Sequence, residues 1–99
     1  MMLKPSEHLK KERLDRYVFI ATEIGFGTIK FEYFDSISRR WKCLTDTGVA
    51  YVLNEEKTVC ITIYVVERFE ELTFLCDGQV PRYIKKVYKK NLEKLRKRG

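Results

Sequence analysis

The chain has 99 residues, of which 44% are hydrophobic, 13% aromatic and 34% charged, with a net charge of +6. This length predicts a single domain over residues 1–99, and the apolar content suffices for a packed core, which excludes general disorder. No run of about 18 apolar residues exists and no apolar segment opens the chain, so we expect no membrane partner, no secretory signal and a cytoplasmic location.

The first predicted helix covers residues 6–24, with Ser6 as its N-cap. Its apolar residues recur at steps of three and four and form one stripe: Leu9, Leu14, Tyr17, Val18, Ala21 and Ile24. Gly25 and Gly27 follow and are expected to end the helix.

A period of two begins at Thr28 and is typical of half-buried strands. Short turns separate four predicted strands, which run from Thr28 to the turn at Asp35-Ser36, over about residues 39–45, over Val49–Leu53 and over Thr58–Val66. Short connections predict an antiparallel meander. In the last strand, strict alternation places Thr62 and Tyr64 on one face with Cys60 and Val66.

The pattern then returns to helix. We expect a short helix over Glu67–Leu75, a stop at Asp77-Gly78, and a final basic helix over residues 82–97 that begins after Pro81. The apolar stripe of the final helix consists of Ile84, Val87, Tyr88, Leu92 and Leu95. The order predicts an α+β domain: an N-terminal helix packed on a four-stranded antiparallel β-meander, followed by two C-terminal helices, with one sheet face covered by helix.

Charge is unevenly distributed along the chain. The balance is +2 over residues 1–16, −4 over residues 17–80 and +8 over residues 81–99. Basic segments attract polyanions because phosphate neutralisation releases counterions, so RNA or another nucleic acid is the expected partner. The candidate phosphate-binding strip comprises Arg82, Lys86, Lys89, Lys90 and Asn91. The alternative is a solvated helix face that only keeps the protein soluble.

Aromatic residues could stack on bases wherever they are exposed. The candidates are Tyr33, Trp41, Tyr83 and Tyr88. For Tyr83 and Tyr88 the spacing favours core positions on the final helix.

The cysteines give no sign of a disulfide framework or a metal site. Cys43, Cys60 and Cys76 are odd in number and include no CxxC pair, so we expect reduced, mostly buried thiols and no zinc. The sequence contains no glycine-rich phosphate loop, and we expect neither a metal nor a cofactor.

His8 is the only histidine and the only side chain that titrates near neutrality without special tuning. A histidine with Arg13 and Arg16 on the same helix suits phosphodiester cleavage, because imidazole moves a proton and guanidinium groups stabilise charge on the phosphate. Thr62 and Tyr64 would add two hydroxyls if their face is solvated. The alternatives are a surface histidine near the terminus and ordinary strand-forming residues.

Three segments together carry a family resemblance. They are His8-x3-Glu12-Arg13-x2-Arg16, then Asp46-Thr47-Gly48-Val49 with Val59-Cys60-Ile61-Thr62-Ile63-Tyr64, and Val80-Pro81-x-Tyr83-Ile84 leading to Lys89-Lys90-Asn91. The combination resembles small phage-associated proteins of the barnase–EndoU–colicin–RelE superfamily of metal-independent nuclease folds.

The resemblance implies a helix packed on an antiparallel four-stranded sheet, with RNA bound near His8 of that helix and near the last strand. It implies proton transfer by His8, phosphate binding by Arg13 or Arg16, and a site lined by Thr62 and Tyr64. Cleavage would need no metal: a base activates the 2′-oxygen, which attacks the phosphate, and an acid protonates the leaving 5′-oxygen.

Three functions follow from these patterns. The first is a metal-independent endoribonuclease-like, nucleic-acid-binding domain. The second is a nucleic-acid-binding regulator without catalysis. The third is a small protein-interaction domain, such as an inhibitor or assembly factor with a cognate protein partner.

Overall fold

The computed structural model describes residues 4–5 and 14–98. In chain order the elements are β1 (Lys4–Pro5), α1 (Leu14–Phe19), a π-helical segment (Ile20–Ile24), β2 (Ile29–Asp35), β3 (Arg40–Thr45), β4 (Val49–Leu53), β5 (Val59–Val65), α2 (Phe69–Leu75) and α3 (Arg82–Arg98). The predicted fold class is confirmed: the protein is α+β, with an N-terminal helix, a four-stranded antiparallel meander and two C-terminal helices.

The sheet has the spatial order β1-β5-β4-β3-β2. Strands β2 to β5 pair antiparallel with their sequence neighbours, as expected for short turns. Strand β1, which was not predicted from the sequence, pairs parallel with β5 through Lys4 and Pro5. Two residues are too few to show a periodic pattern, so β1 was not detectable by that criterion.

The first helix is described from Leu14 onward, so its predicted beginning over residues 6–13, including the Ser6 cap, lies outside the described residues. At Ile20 the α-helix widens into the π-helical segment. The N–H of Gly25 closes this segment by donating to Ile20 O at 2.6 Å. Gly25 has φ +88°, which confirms the predicted helix end.

Both faces of the sheet are covered, although only one covered face was expected. The first face packs against α1 and the π-helical segment in a core formed by Ile20, Cys43, Val49, Leu53, Cys60, Ile63 and Val65. The second face packs against α2 and the start of α3 in a core formed by Leu44, Ala50, Val66, Leu72, Leu75, Cys76 and Ile84. The domain is therefore layered as helix, sheet and helices.

A β-bulge in β5 corrects the predicted face of Cys60. Leu53 pairs with Cys60 and Val52 pairs with Thr62, so Ile61 is the extra residue between two consecutive pairs. The bulge breaks the alternation and turns Cys60 into the first core. Tyr64 packs in the second core, as the alternation after the bulge requires.

Helix α3 contacts both cores because it crosses one end of the sheet. Ile84 packs in the second core, and Leu95, three turns later, packs against the first. Between them the helix passes the β3–β4 turn over residues 46–48. Among the described helices, none has both the length and the apolar character needed to cross a membrane.

Candidate functional site

Of the predicted catalytic residues, His8 and Arg13 lie outside the described residues. Arg16 lies on α1, the helix that packs against the first face of the sheet through neighbours such as Tyr17. Thr62 and Tyr64 belong to the second face. The sheet therefore separates α1 from the face that bears the two predicted hydroxyls.

The hydroxyl of Tyr64 already has a partner. It donates a hydrogen bond to the Glu71 carboxylate at 2.8 Å, because α2 covers this part of the second face. Burial, together with Glu71, raises the pKa of Tyr64 above its usual value of 10.0. Tyr64 is therefore a weaker proton donor than an exposed tyrosine, and its face is not solvated in the way that the predicted site requires.

Thr62 is half-buried and lies in a row that crosses the sheet beside α2. Its neighbours in register are Val52 on β4, then Lys42 on β3 and Tyr33 on β2. The ring of Phe74 on α2 packs edge-on against Tyr33, with centroids 5.2 Å apart. Thr62 thus lies at the border of the covered second face rather than beside α1.

Four of the five residues of the predicted phosphate-binding strip lie on the face of α3 that points away from both cores. Arg82, Lys86, Lys89 and Lys90 are all exposed. At about 100° per residue they cluster on one side of the helix, opposite Ile84. None of the four forms an ion pair with an acid in the described part of the chain.

Two further bases, Arg96 and Lys97, extend this surface and were not in the predicted set. The same helical spacing places them, and one acid, Glu93, on the outward side. We call the six bases and Glu93 the outward face of α3. The helix has 17 residues, so this face extends over about 25 Å.

Asn91 corrects the predicted strip, because it is only 3% exposed. Its Nδ2 donates a hydrogen bond to Thr47 O at 2.8 Å, which leaves it unavailable for an external phosphate. The helical period explains the difference: Asn91 follows Ile84 by seven residues and precedes Leu95 by four, so it shares their buried side.

The basic residues on the flanks of α3 make contacts within the protein. Lys94 Nζ donates to Glu23 O at 2.6 Å and ties the end of α3 to the π-helical segment. Lys85 Nζ lies 5.9 Å from the centroid of the Phe69 ring. Within the described residues, the outward face is therefore the part of α3 whose charged side chains have neither an ion pair nor another polar or aromatic contact.

The four candidate stacking aromatics differ in their surroundings. Trp41 packs at the first core and donates from Nε1 to Glu55 O at 3.0 Å. Tyr88 packs at the second core and donates its hydroxyl to Glu67 O. Tyr33 is 44% exposed, and Tyr83 is 49% exposed. The predicted core position is thus confirmed for Tyr88 and wrong for Tyr83.

All three cysteines are free and buried, as predicted. Burial raises the pKa of both the Cys43 and the Cys60 thiol to about 11 and also raises the pKa of Cys76. Such thiols stay protonated near neutrality and are poor nucleophiles. Within the described residues, no group of three or more His, Cys, Asp or Glu side chains is placed to hold a metal ion.

Comparisons with known proteins found no relative of this chain. No family model matches it, and neither the curated proteins nor the solved structures include a significant match.

Proposed function

We propose that this protein is a nucleic-acid-binding domain that contacts phosphates along the outward face of α3. The observation that supports the proposal is the set of six exposed bases on one side of a helix, with Glu93 as the one acid among them. Arg82, Lys86, Lys89 and Lys90 have no ion-pair partner among the described side chains. Unpaired cations arranged along a surface are the electrostatic feature that phosphate backbones recognise.

The distribution of charge supports binding on one side of the molecule. Residues 17–80 have a balance of −4, whereas residues 81–99 have a balance of +8. A polyanion would be attracted to α3 and repelled by the acids of the central sheet region. A helix of about 25 Å is long enough to follow several successive phosphates of one strand.

The test is the salt dependence of binding to a labelled oligonucleotide, measured by fluorescence anisotropy. Changing Lys86, Lys89 and Lys90 together to Gln should flatten the slope of log K against log [salt] by about two to three units, since each phosphate contact contributes about 0.7–0.9. Binding by the unchanged protein should weaken steeply as salt increases.

The matched control changes three exposed bases that lie elsewhere, Lys30, Arg40 and Arg68, to Gln. It removes the same net charge and should alter the slope by less than one unit. Equal slopes for the two triple variants would contradict a role for the outward face. An unchanged protein that binds neither RNA nor DNA at low salt would reject the proposed function and favour a protein-interaction domain.

Cleavage of bound RNA is a second candidate function, favoured by the sequence resemblance and by the occurrence of His8, Arg13 and Arg16 in one predicted helix of the sequence. In that case RNA should be cut with EDTA present, and His8→Ala should slow cleavage by roughly 10²–10⁴-fold. Tyr64→Phe should leave cleavage within a few-fold, because Glu71 holds the Tyr64 hydroxyl. RNA that stays intact while it binds would show a non-catalytic binding domain.

A further inference from the structure

Within the described part of the chain, Tyr83 differs from the other five tyrosines because neither a ring contact nor a hydrogen bond explains its position. The rings of Tyr17, Tyr33 and Tyr88 each pack on a phenylalanine. The hydroxyls of Tyr51 and Tyr64 each donate a hydrogen bond. Tyr83 is 49% exposed and, among the described residues, has neither a ring partner nor a hydrogen bond.

The position of Tyr83 on α3 brings its ring next to the outward face. Lys86 follows it by three residues and Lys90 by seven, and residues at these intervals are neighbours along one side of a helix. Both lysines are exposed. The ring therefore borders the side chains that we propose to contact phosphates.

Phe69 belongs to α2 and lies beside Lys85 on the other flank of α3, where its ring is packed against a neighbour. It is 45% exposed, but its ring packs edge-on against Tyr88 at 5.8 Å between centroids. Lys85 Nζ lies over it at 5.9 Å. Tyr83 is exposed to a similar extent, 49%, but it lacks such neighbours among the described residues, so its exposed surface is available to a planar ligand.

We propose that Tyr83 stacks on an unpaired base while the adjacent lysines hold the phosphates, so that the site binds single-stranded nucleic acid in preference to duplex. The reasoning rests on the proposed function. Stacking on an aromatic side chain needs a base whose face is free, and a single strand supplies one, whereas the bases of a duplex are already stacked and paired. Phosphate contacts alone would favour the duplex, because its charge density is higher than that of a single strand.

The experiment compares a 2′-O-methyl RNA strand of about ten nucleotides, within the usual site size for such surfaces, with the same strand annealed to its complement. The 2′-O-methyl groups prevent attack by the 2′-oxygen. The unchanged protein should bind the single strand more tightly. Tyr83→Ala should weaken single-strand binding about tenfold or more and leave duplex binding within about twofold, since a stacked base is lost only from the single strand.

Two controls separate stacking from general loss of binding. Tyr83→Trp should retain binding, and its new indole should be quenched by the single strand, whereas the indole of Trp41 in the unchanged protein should respond little. Phe74→Ala removes an aromatic that is 56% exposed on α2 and should have no effect. Because Tyr83 is uncharged, Tyr83→Ala should keep the salt slope of the unchanged protein.

The outcomes distinguish the two proposals. If Tyr83→Ala weakens single-strand and duplex binding equally, or weakens neither, the stacking proposal is overturned. The proposed function would still stand in that case if binding by the unchanged protein depends steeply on salt. Binding that is tighter to duplex than to the single strand would also overturn the stacking proposal. Absence of any binding by the unchanged protein would reject both.

Discussion

A hydrogen bond from the buried Asn91 side chain joins α3 to the β3–β4 turn. Asn91 Nδ2 donates to Thr47 O, and Gly48 lies directly against that amide with φ +79°. A Cβ on residue 48 would be 2.7 Å from Nδ2. Glycine is therefore needed at position 48 for two reasons: the backbone adopts a left-handed conformation, and the buried amide of Asn91 approaches closely.

Gly48→Ala should lower the free energy of unfolding by about 2–4 kcal/mol. About 1 kcal/mol comes from an alanine in the left-handed region, and about 1–3 kcal/mol comes from displacing a buried amide from its acceptor. Urea unfolding monitored by circular dichroism would show this as a lower midpoint at an unchanged slope.

Gly78→Ala is the matched control for that experiment. Gly78 also has a positive φ, +94°, but nothing lies within 4 Å of a Cβ at this position. Gly78→Ala should therefore lower the free energy of unfolding by about 1 kcal/mol, which is the cost of an alanine in the left-handed backbone conformation. Equal losses for the two variants would show that the contact with Asn91 contributes nothing.

Among the elements, the meander strands were predictable from local sequence. Turn residues such as Asp46-Thr47-Gly48 separate runs rich in β-branched and aromatic residues, and both signals depend only on near neighbours. The face of Cys60 was not predictable in this way. Its direction depends on the pairing of Val52 with Thr62 and of Leu53 with Cys60, which is a property of two strands together.

The candidate site likewise contains some features that local sequence predicts and others that it does not. The exposed Lys86, Lys89 and Lys90 follow from helical spacing alone. The burial of Asn91 also follows from spacing, since it shares the side of Leu95, although its place next to Lys90 in sequence suggests a shared surface. The separation of Arg16 from Tyr64 required the tertiary structure, because amphipathic periodicity does not say which sheet face a helix covers.

The exposure of Tyr83 depends on the rotation of α3 about its own helix axis. The ring lies on the border between the buried and outward sides, where a small rotation of the helix decides between core and solvent. Ile84 and Asn91 fix that rotation through the second core and the Thr47 carbonyl. The same contact that buries Asn91 thus leaves Tyr83 at the surface.

At the scale of the whole molecule, the helices and the sheet bury two cores, and the free thiols are distributed over both. Cys43 and Cys60 belong to the first core, and Cys76 belongs to the second. Removing any of these thiols from water penalises the thiolate, which is why their pKa values rise. Global stability is thereby linked to pH in the alkaline range.

The free energy of unfolding should fall between pH 9 and pH 11. Cys43 and Cys60 have their pKa raised from 9.0 to about 11 in the folded protein, so in this interval the unfolded chain loses protons that the folded chain retains. The stability that the buried thiols contribute is fully present below pH 9, and its loss is on the order of 2 kcal/mol per thiol at pH 11. Urea unfolding at several pH values across this range would measure the loss of stability.

A double variant with Cys43→Ala and Cys60→Ala should start from a lower stability at pH 8 because of the cavities left by the thiols. It should nevertheless fall less steeply with pH, and a fall as steep as that of the unchanged protein would assign the pH dependence to lysines and tyrosines instead.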